Sequence, residues 1–165
     1  MLFPDSFRAP PLATLERFQL RLLVPGDAQA DFQAVCASAA RIRGVFGPDN
    51  QWPPDDLSFE TNLADLARHE HESHANLSFA YSVWQQDVYA GCLYIKPFKS
   101  RLAADRRRGI YRELCFLWVA EPFVAEEATL YALCRSWIQH SFPLTGPVWP
   151  GRELDWAQWH ALAAA

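Results

Sequence analysis

A chain of 165 residues has room for one domain with a real hydrophobic core and not for two. Half of its residues are hydrophobic, 21% are charged and the mean hydropathy is -0.14, which excludes a disordered chain. The net charge of -4 argues against a general nucleic-acid binder, which needs a dominant positive face. No apolar run approaches the roughly 20 residues of a membrane span. The opening MLFPDSFRAPP lacks the basic start and apolar stretch of a secretory signal. A cytoplasmic protein with no membrane or nucleic-acid partner is expected. Cys36, Cys92, Cys115 and Cys134 each sit in apolar sequence with no CxxC pair, so four buried free thiols are expected.

Residues 1–17 are rich in proline and read as an arm on the surface; residues 18–165 read as a single domain. Phe18 to Val24 is a first strand, closed by Pro25-Gly26, and Asp27 is placed to cap a helix. Phe32, Val35, Cys36, Ala39, Ile42 and Phe46 fall on one face of that helix, which Gly47-Pro48 ends. The double proline of the Asp49–Asp56 loop forbids both helix and central strand. Ser58 caps a second helix with Leu63, Leu66 and Ala67 inward, running through the histidine-rich stretch to Ala75. Leu77 to Gln85 and Val88 to Pro97 form a hairpin about Gln86-Asp87. Phe98 to Gly109 is arginine-rich and reads as a mobile loop. Tyr111 to Val119 is a buried strand. A helix from Glu121-Pro122 to His140 turns Leu130, Leu133, Cys134, Trp137 and Ile138 inward. A short strand between Phe142 and Trp149 and a last amphipathic segment with Trp156, Trp159 and Leu162 complete the order β-α-α-β-β-β-α-β-α. This is an α/β chain with a mixed sheet and helices on both faces.

From Phe18 to Leu162 this order resembles the GNAT acyltransferase superfamily, whose core continues through two more strands. The strand Glu113-Leu114-Cys115-Phe116-Leu117-Trp118-Val119 with the helix after it carries the closest local match. The resemblance implies a GNAT-like fold truncated at its C-terminal end, and acetyl-CoA or another acyl-CoA as co-substrate. It also implies a strand-borne general base at Glu113. Trp118, Val119, Val124 and Ala125 would bind the cofactor, the first two by backbone hydrogen bonds. Trp52, Asp55 and Asp56, on the loop between the first two helices, would hold the acceptor. The chain departs from the family's R/Q-x-x-G-x-G/A turn, which cradles the CoA pyrophosphate. Val124 stands where the basic residue would be, and Ala125 and Glu127 where the glycines would be. Glu126 and Glu127 add about 0.3–1 kcal/mol each to a helix start. A phosphate oxygen about 4 Å from one of them would cost about 4 kcal/mol at an effective dielectric of about 20. No tyrosine follows Tyr131 to serve as the general acid that relatives carry on the fourth helix.

Other clusters are weighed by geometry. His69 and His71 point about 200° apart on a helix, so the three histidines read as a solvated face, with no metal site expected. Arg106, Arg107 and Arg108 could reach an anionic ligand or simply be solvated. Two functions follow. One is an acyl-CoA-dependent N-acyltransferase acting on a small-molecule amine. The other is a non-catalytic GNAT-like module that has lost pyrophosphate binding and holds a ligand or partner chain. In either, a homodimer would cover the strand edge left by the truncated end.

Overall fold

Strands between Phe79 and Val119 that are buried on both faces build the middle of a six-stranded sheet. The computed structural model describes residues 2–164, so Met1 of the expected arm and Ala165 of the expected domain lie outside the described residues. The strands are β1 (Leu12–Leu15), β2 (Phe18–Leu22), β3 (Phe79–Gln85), β4 (Val88–Pro97), β5 (Glu113–Val119) and β6 (Pro147–Val148), lying side by side in that order. All neighbours are antiparallel except β5 and β6. The helices are α1 (Ala28–Ile42), α2 (Phe59–His74), α3 (Glu127–Ser141) and α4 (Trp156–Ala164). No described helix is long and apolar enough to cross a membrane.

The pleat assigns one face to Cys92, Tyr94, Lys96, Leu114, Phe116 and Trp118, because Cys92 pairs with Trp118, Tyr94 with Phe116 and Lys96 with Leu114. This face meets α1 and α2: Tyr89 on β4 donates to Asp31 of α1 at 2.6 Å, and Ser82 on β3 donates to Asp27 at 3.0 Å. The opposite face meets α3, where the Trp137 ring lies 5.0 Å from Tyr81. A bulge beside Gly91 keeps Tyr89 on the α1–α2 face. Gly91 has φ +148°, and a Cβ there would lie 2.1 Å from the Trp118 carbonyl oxygen, so no other residue fits.

Several elements depart from the sequence expectation. The N-terminal arm runs along the surface and is tied to the fold at two points. Leu12–Leu15 pairs with β2, and Phe3 is buried in a ring cluster with Phe7, Phe79 and Phe142. The helix after the Asn50–Pro54 loop is capped by Ser58 as expected, its Oγ accepting from Thr61 N at 3.1 Å. Its buried side is Asn62, Leu66 and His69, however, and Leu63 is exposed. The cause is polar: Asp31, buried on α1, accepts from Asn62 Nδ2 at 2.8 Å as well as from Tyr89. Asp27 leaves its capping role unfilled and takes Ser82 and Arg21 as donors instead. Cys36 is exposed on α1, unlike the other three cysteines. The arginine-rich loop is held in place rather than mobile. Arg107 is buried, pairs with Asp105 at 2.7 Å, donates to the Trp159 carbonyl at 3.1 Å and stacks on that indole.

Candidate functional site

β6 pairs with β5 only at Glu113 and Leu114. Beyond them the strands part, leaving a cleft of about 180 Å³ between Cys115–Leu117 on one side and Pro150–Arg152 with Trp156 on the other. The cleft therefore opens at Cys115–Leu117, not at Trp118 and Val119, whose side chains are fully enclosed; Trp118 Nε1 donates to the Tyr94 hydroxyl at 3.2 Å. Arg152 lines the cleft. Its Nη2 donates to the Leu117 carbonyl at 3.0 Å and pairs with Glu127. The expected phosphate-binding turn, Glu121–Glu126, is a 3-10 turn with Val124 and Ala125 exposed. Its acids are already matched: Arg17 pairs with Glu126, and Arg41 pairs with Glu121 at 3.1 Å and Glu127 at 3.2 Å. The acidic side chains expected from the sequence are in place, and arginines from β1's turn, α1 and the segment after β6 neutralise them.

Glu113, the expected general base, is committed elsewhere. It is buried and accepts from Gly146 N at 2.9 Å and from Thr145 N and Oγ1 at 3.3 Å each. This clasps the loop between α3 and β6 onto β5. The carboxylate lines neither the cleft nor the groove described next: its pleat position is on the face away from the groove, and Thr145 and Gly146 hold it short of the cleft.

The open space lies on the other face, between α2 and the ends of β4 and β5. Two cavities of about 540 and 330 Å³ adjoin there and share Arg68 and Lys96. The smaller has aromatic walls from Phe46, Trp52, Tyr94 and Phe116, with Asp65 and His69 on its α2 side. The larger is lined by Glu72, Ser78, Lys99 and Leu114. Trp52 thus walls a cavity as expected. Asp55 and Asp56 do not: both are exposed, and Asp55 pairs with Arg43. Asp65 is the aspartate in the groove, one turn along α2.

Charge is unevenly satisfied here. Arg68 spans Asp65 and Glu72, at 2.9 Å from the latter, and Glu72 also accepts from Ser78 at 2.6 Å. His69 is buried, against expectation, with its ring 5.4 Å from Tyr94 and its Nε2 3.5 Å from Asp65. Burial works to raise the Asp65 carboxyl, but its bonds to His69 and Arg68 outweigh that and hold it at about 2. Lys96 has neither a hydrogen bond nor an ion pair among the described residues. Its Nζ sits 4.9 Å from the Phe46 ring and 5.1 Å from the Tyr94 ring. Burial, and next the Arg68 charge, push this amine below its ordinary value. Sequence reasoning missed Asp65, Arg68, His69 and Lys96. One signal was available: Lys96 and Lys99 are the chain's two lysines, and both line one cavity.

No family model matches the chain, and no curated protein matches its sequence. Solved structures do match its fold, and the fold is that of the GNAT acetyltransferases. RimL, a ribosomal alpha-N-protein acetyltransferase in complex with coenzyme A, aligns with a TM-score of 0.59 at 16% identity, over 78% of this chain and 68% of that one. A GNAT-family acetyltransferase from Bordetella pertussis aligns at 0.52 and 14% identity, over 79% and 74%. A microcin self-immunity acetyltransferase, MccE, in complex with acetyl-CoA and AMP, aligns at 0.52 and 10% identity, over 76% and 62%.

Proposed function

We propose that the protein is an N-acyltransferase that moves an acyl group from an acyl-CoA thioester to an amine bound in the α2–β4 groove. The observation that carries this reading is Phe116, which lines both the β5–β6 cleft and the groove. A thioester in the cleft and an amine in the groove would meet beside that ring. RimL and MccE, with the same fold, are seen with coenzyme A or acetyl-CoA. The two cavities suit a small-molecule amine in size. A protein N-terminus is the alternative acceptor, because RimL acts on a ribosomal protein.

The residues divide the work as follows. The amine forms the C–N bond as the C–S bond breaks and the coenzyme leaves as its thiolate. Arg68 donates to His69 Nε2 at 3.2 Å and Nδ1 is enclosed, so the imidazole packs the groove wall beside Tyr94 and the amine's proton passes to solvent. Trp52 and Phe46 wall off water from the amine. The cleft as it stands does not fit a pantetheine chain, because it holds only about 180 Å³ and Arg152 on its wall takes the Leu117 carbonyl. Arg152 must therefore swing out, leaving Glu127 to Arg41.

Those same contacts favour a second reading, a GNAT-like module that binds a ligand or partner and no CoA. Thermal unfolding with acetyl-CoA separates the two. A ligand at 100 times its dissociation constant adds about 2.7 kcal/mol of stability. A rise in Tm with acetyl-CoA is expected, larger in Arg152→Ala. No rise in either protein at millimolar acetyl-CoA removes the transferase reading.

A further inference from the structure

The larger groove cavity carries three cations, Arg68, Lys96 and Lys99, against one acid, Glu72. Arg68 bridges Asp65 and Glu72, so the three cations and two acids of the groove leave a net charge of +1, and the two lysines are the cations without an ion pair among the described residues. This is a cationic pocket in a chain of net charge -4 whose other thirteen basic residues are arginines. A half-buried ammonium with no counter-ion is costly, and an anion in the cavity would remove that cost. Asp65 and Glu72 bond Arg68 and reach Lys96 only through space, without an ion pair.

We propose that this cavity is a carboxylate site, and that the acceptor is an amine carrying a carboxylate, which Lys96 and Lys99 hold. The assignment of the amine end rests on the transferase reading; the carboxylate end does not. Side-chain ammonium groups hold either anion, and a carboxylate is favoured over a phosphate because the cavity lacks the backbone N–H cradle that glycine turns and helix starts supply to many phosphate sites. Here the strand end between the two lysines is Pro97, which has no N–H, and the donors are side-chain ammonium groups. The orientation follows from the walls. The carboxylate lies in the larger cavity toward Lys99, and the amine in the aromatic one beside Asp65, His69 and Phe116, next to the cleft.

Two lysines make the test direct. Protein labelled with 13C at lysine Cε gives two resonances, which are followed as glutarate is added with no CoA present. Both should shift with saturation, and glutaramide, the uncharged analogue, should move neither. Lys96→Met and Lys99→Met should each weaken glutarate about tenfold, the loss of one charge-assisted hydrogen bond. Arg106→Gln, on an exposed arginine outside the cavity, should change nothing. Should Lys96→Met fail to fold, Lys99→Met carries the comparison alone, because Lys99 is exposed. Absence of a saturable shift, an equal response to glutaramide, or a response to inorganic phosphate and not to glutarate overturns the proposal. A saturable shift in a protein that transfers no acyl group supports the carboxylate site and sinks the transferase reading. Transfer to uncharged amines with no glutarate shift does the reverse.

Discussion

At the start of α3 three glutamates meet three arginines; in the groove under α2 two lysines make no ion pair among the described residues. Arg17, Arg41 and Arg152 close on Glu121, Glu126 and Glu127, and the last of these arginines also takes the Leu117 carbonyl. Anything that binds there must first displace an internal partner. In the groove Asp65 and Glu72 serve Arg68, while Lys96 rests on two aromatic rings. A lysine-bound ligand there breaks no internal ion pair among the described residues. Charge balance, more than cavity size, thus separates the part of this GNAT-like scaffold that is closed from the part that is open.

Single substitutions should show that difference as opposite signs. The most charge-balanced point in the chain is the buried Asp105–Arg107 pair. Arg107→Met strands an enclosed carboxylate and should cost about 3 kcal/mol or more by urea denaturation. Glu127→Gln leaves Arg152 without its carboxylate, while Arg41 keeps Glu121, and should cost about 1–2 kcal/mol. Lys96→Met, on the open side, removes an uncompensated ammonium and should leave stability unchanged or raise it by up to about 1 kcal/mol. A loss of stability in Lys96→Met comparable to that of Glu127→Gln would erase the distinction between the two regions.

Much of the fold was legible because apolar periodicity carried it. The Phe79–Gln85 and Val88–Pro97 hairpin, the β5 strand and the inner face of α3 at Leu130, Cys134 and Ile138 all follow from spacing. What spacing could not show is where a polar residue is worth burying. Asn62 and His69 face inward because Asp31 and Tyr94 wait for them across the interface, and a helix read by hydrophobicity turns Leu63 inward instead. The β1 strand was hidden by the prolines that precede it, Pro10 and Pro11, although Leu12 to Leu15 needs only Phe18 to Leu22 as a template. The site was legible only in outline. The acids at the start of α3 could be read from Glu126 and Glu127, but their partners are distant in sequence: Arg17, Arg41 and Arg152. Glu113 has the right position on the strand for a base, and only the approach of Thr145 and Gly146 reveals that it is a clasp.

The smallest expected effect tests why Lys96 is left alone. If Asp65 is committed to His69 and Arg68, its folded value of about 2 lies below its ordinary value of 3.8. Such a group stabilises the fold fully above about pH 4, and that contribution is lost as the pH falls toward 2. Asp31 runs the other way. Burial raises it despite the hydrogen bonds from Tyr89 and Asn62, so its contribution is present at low pH and fades as the pH rises through its elevated value. The two partly cancel in the whole protein, so the wild-type curve alone says little. Asp65→Asn separates them. Between pH 4.5 and 2, in urea titrations at fixed salt, the wild type should lose more stability than Asp65→Asn does. Parallel curves would mean that Asp65 is not held down by its neighbours. It would then be free to serve Lys96, and the groove would lose the unbalanced charge that sets it apart from the start of α3.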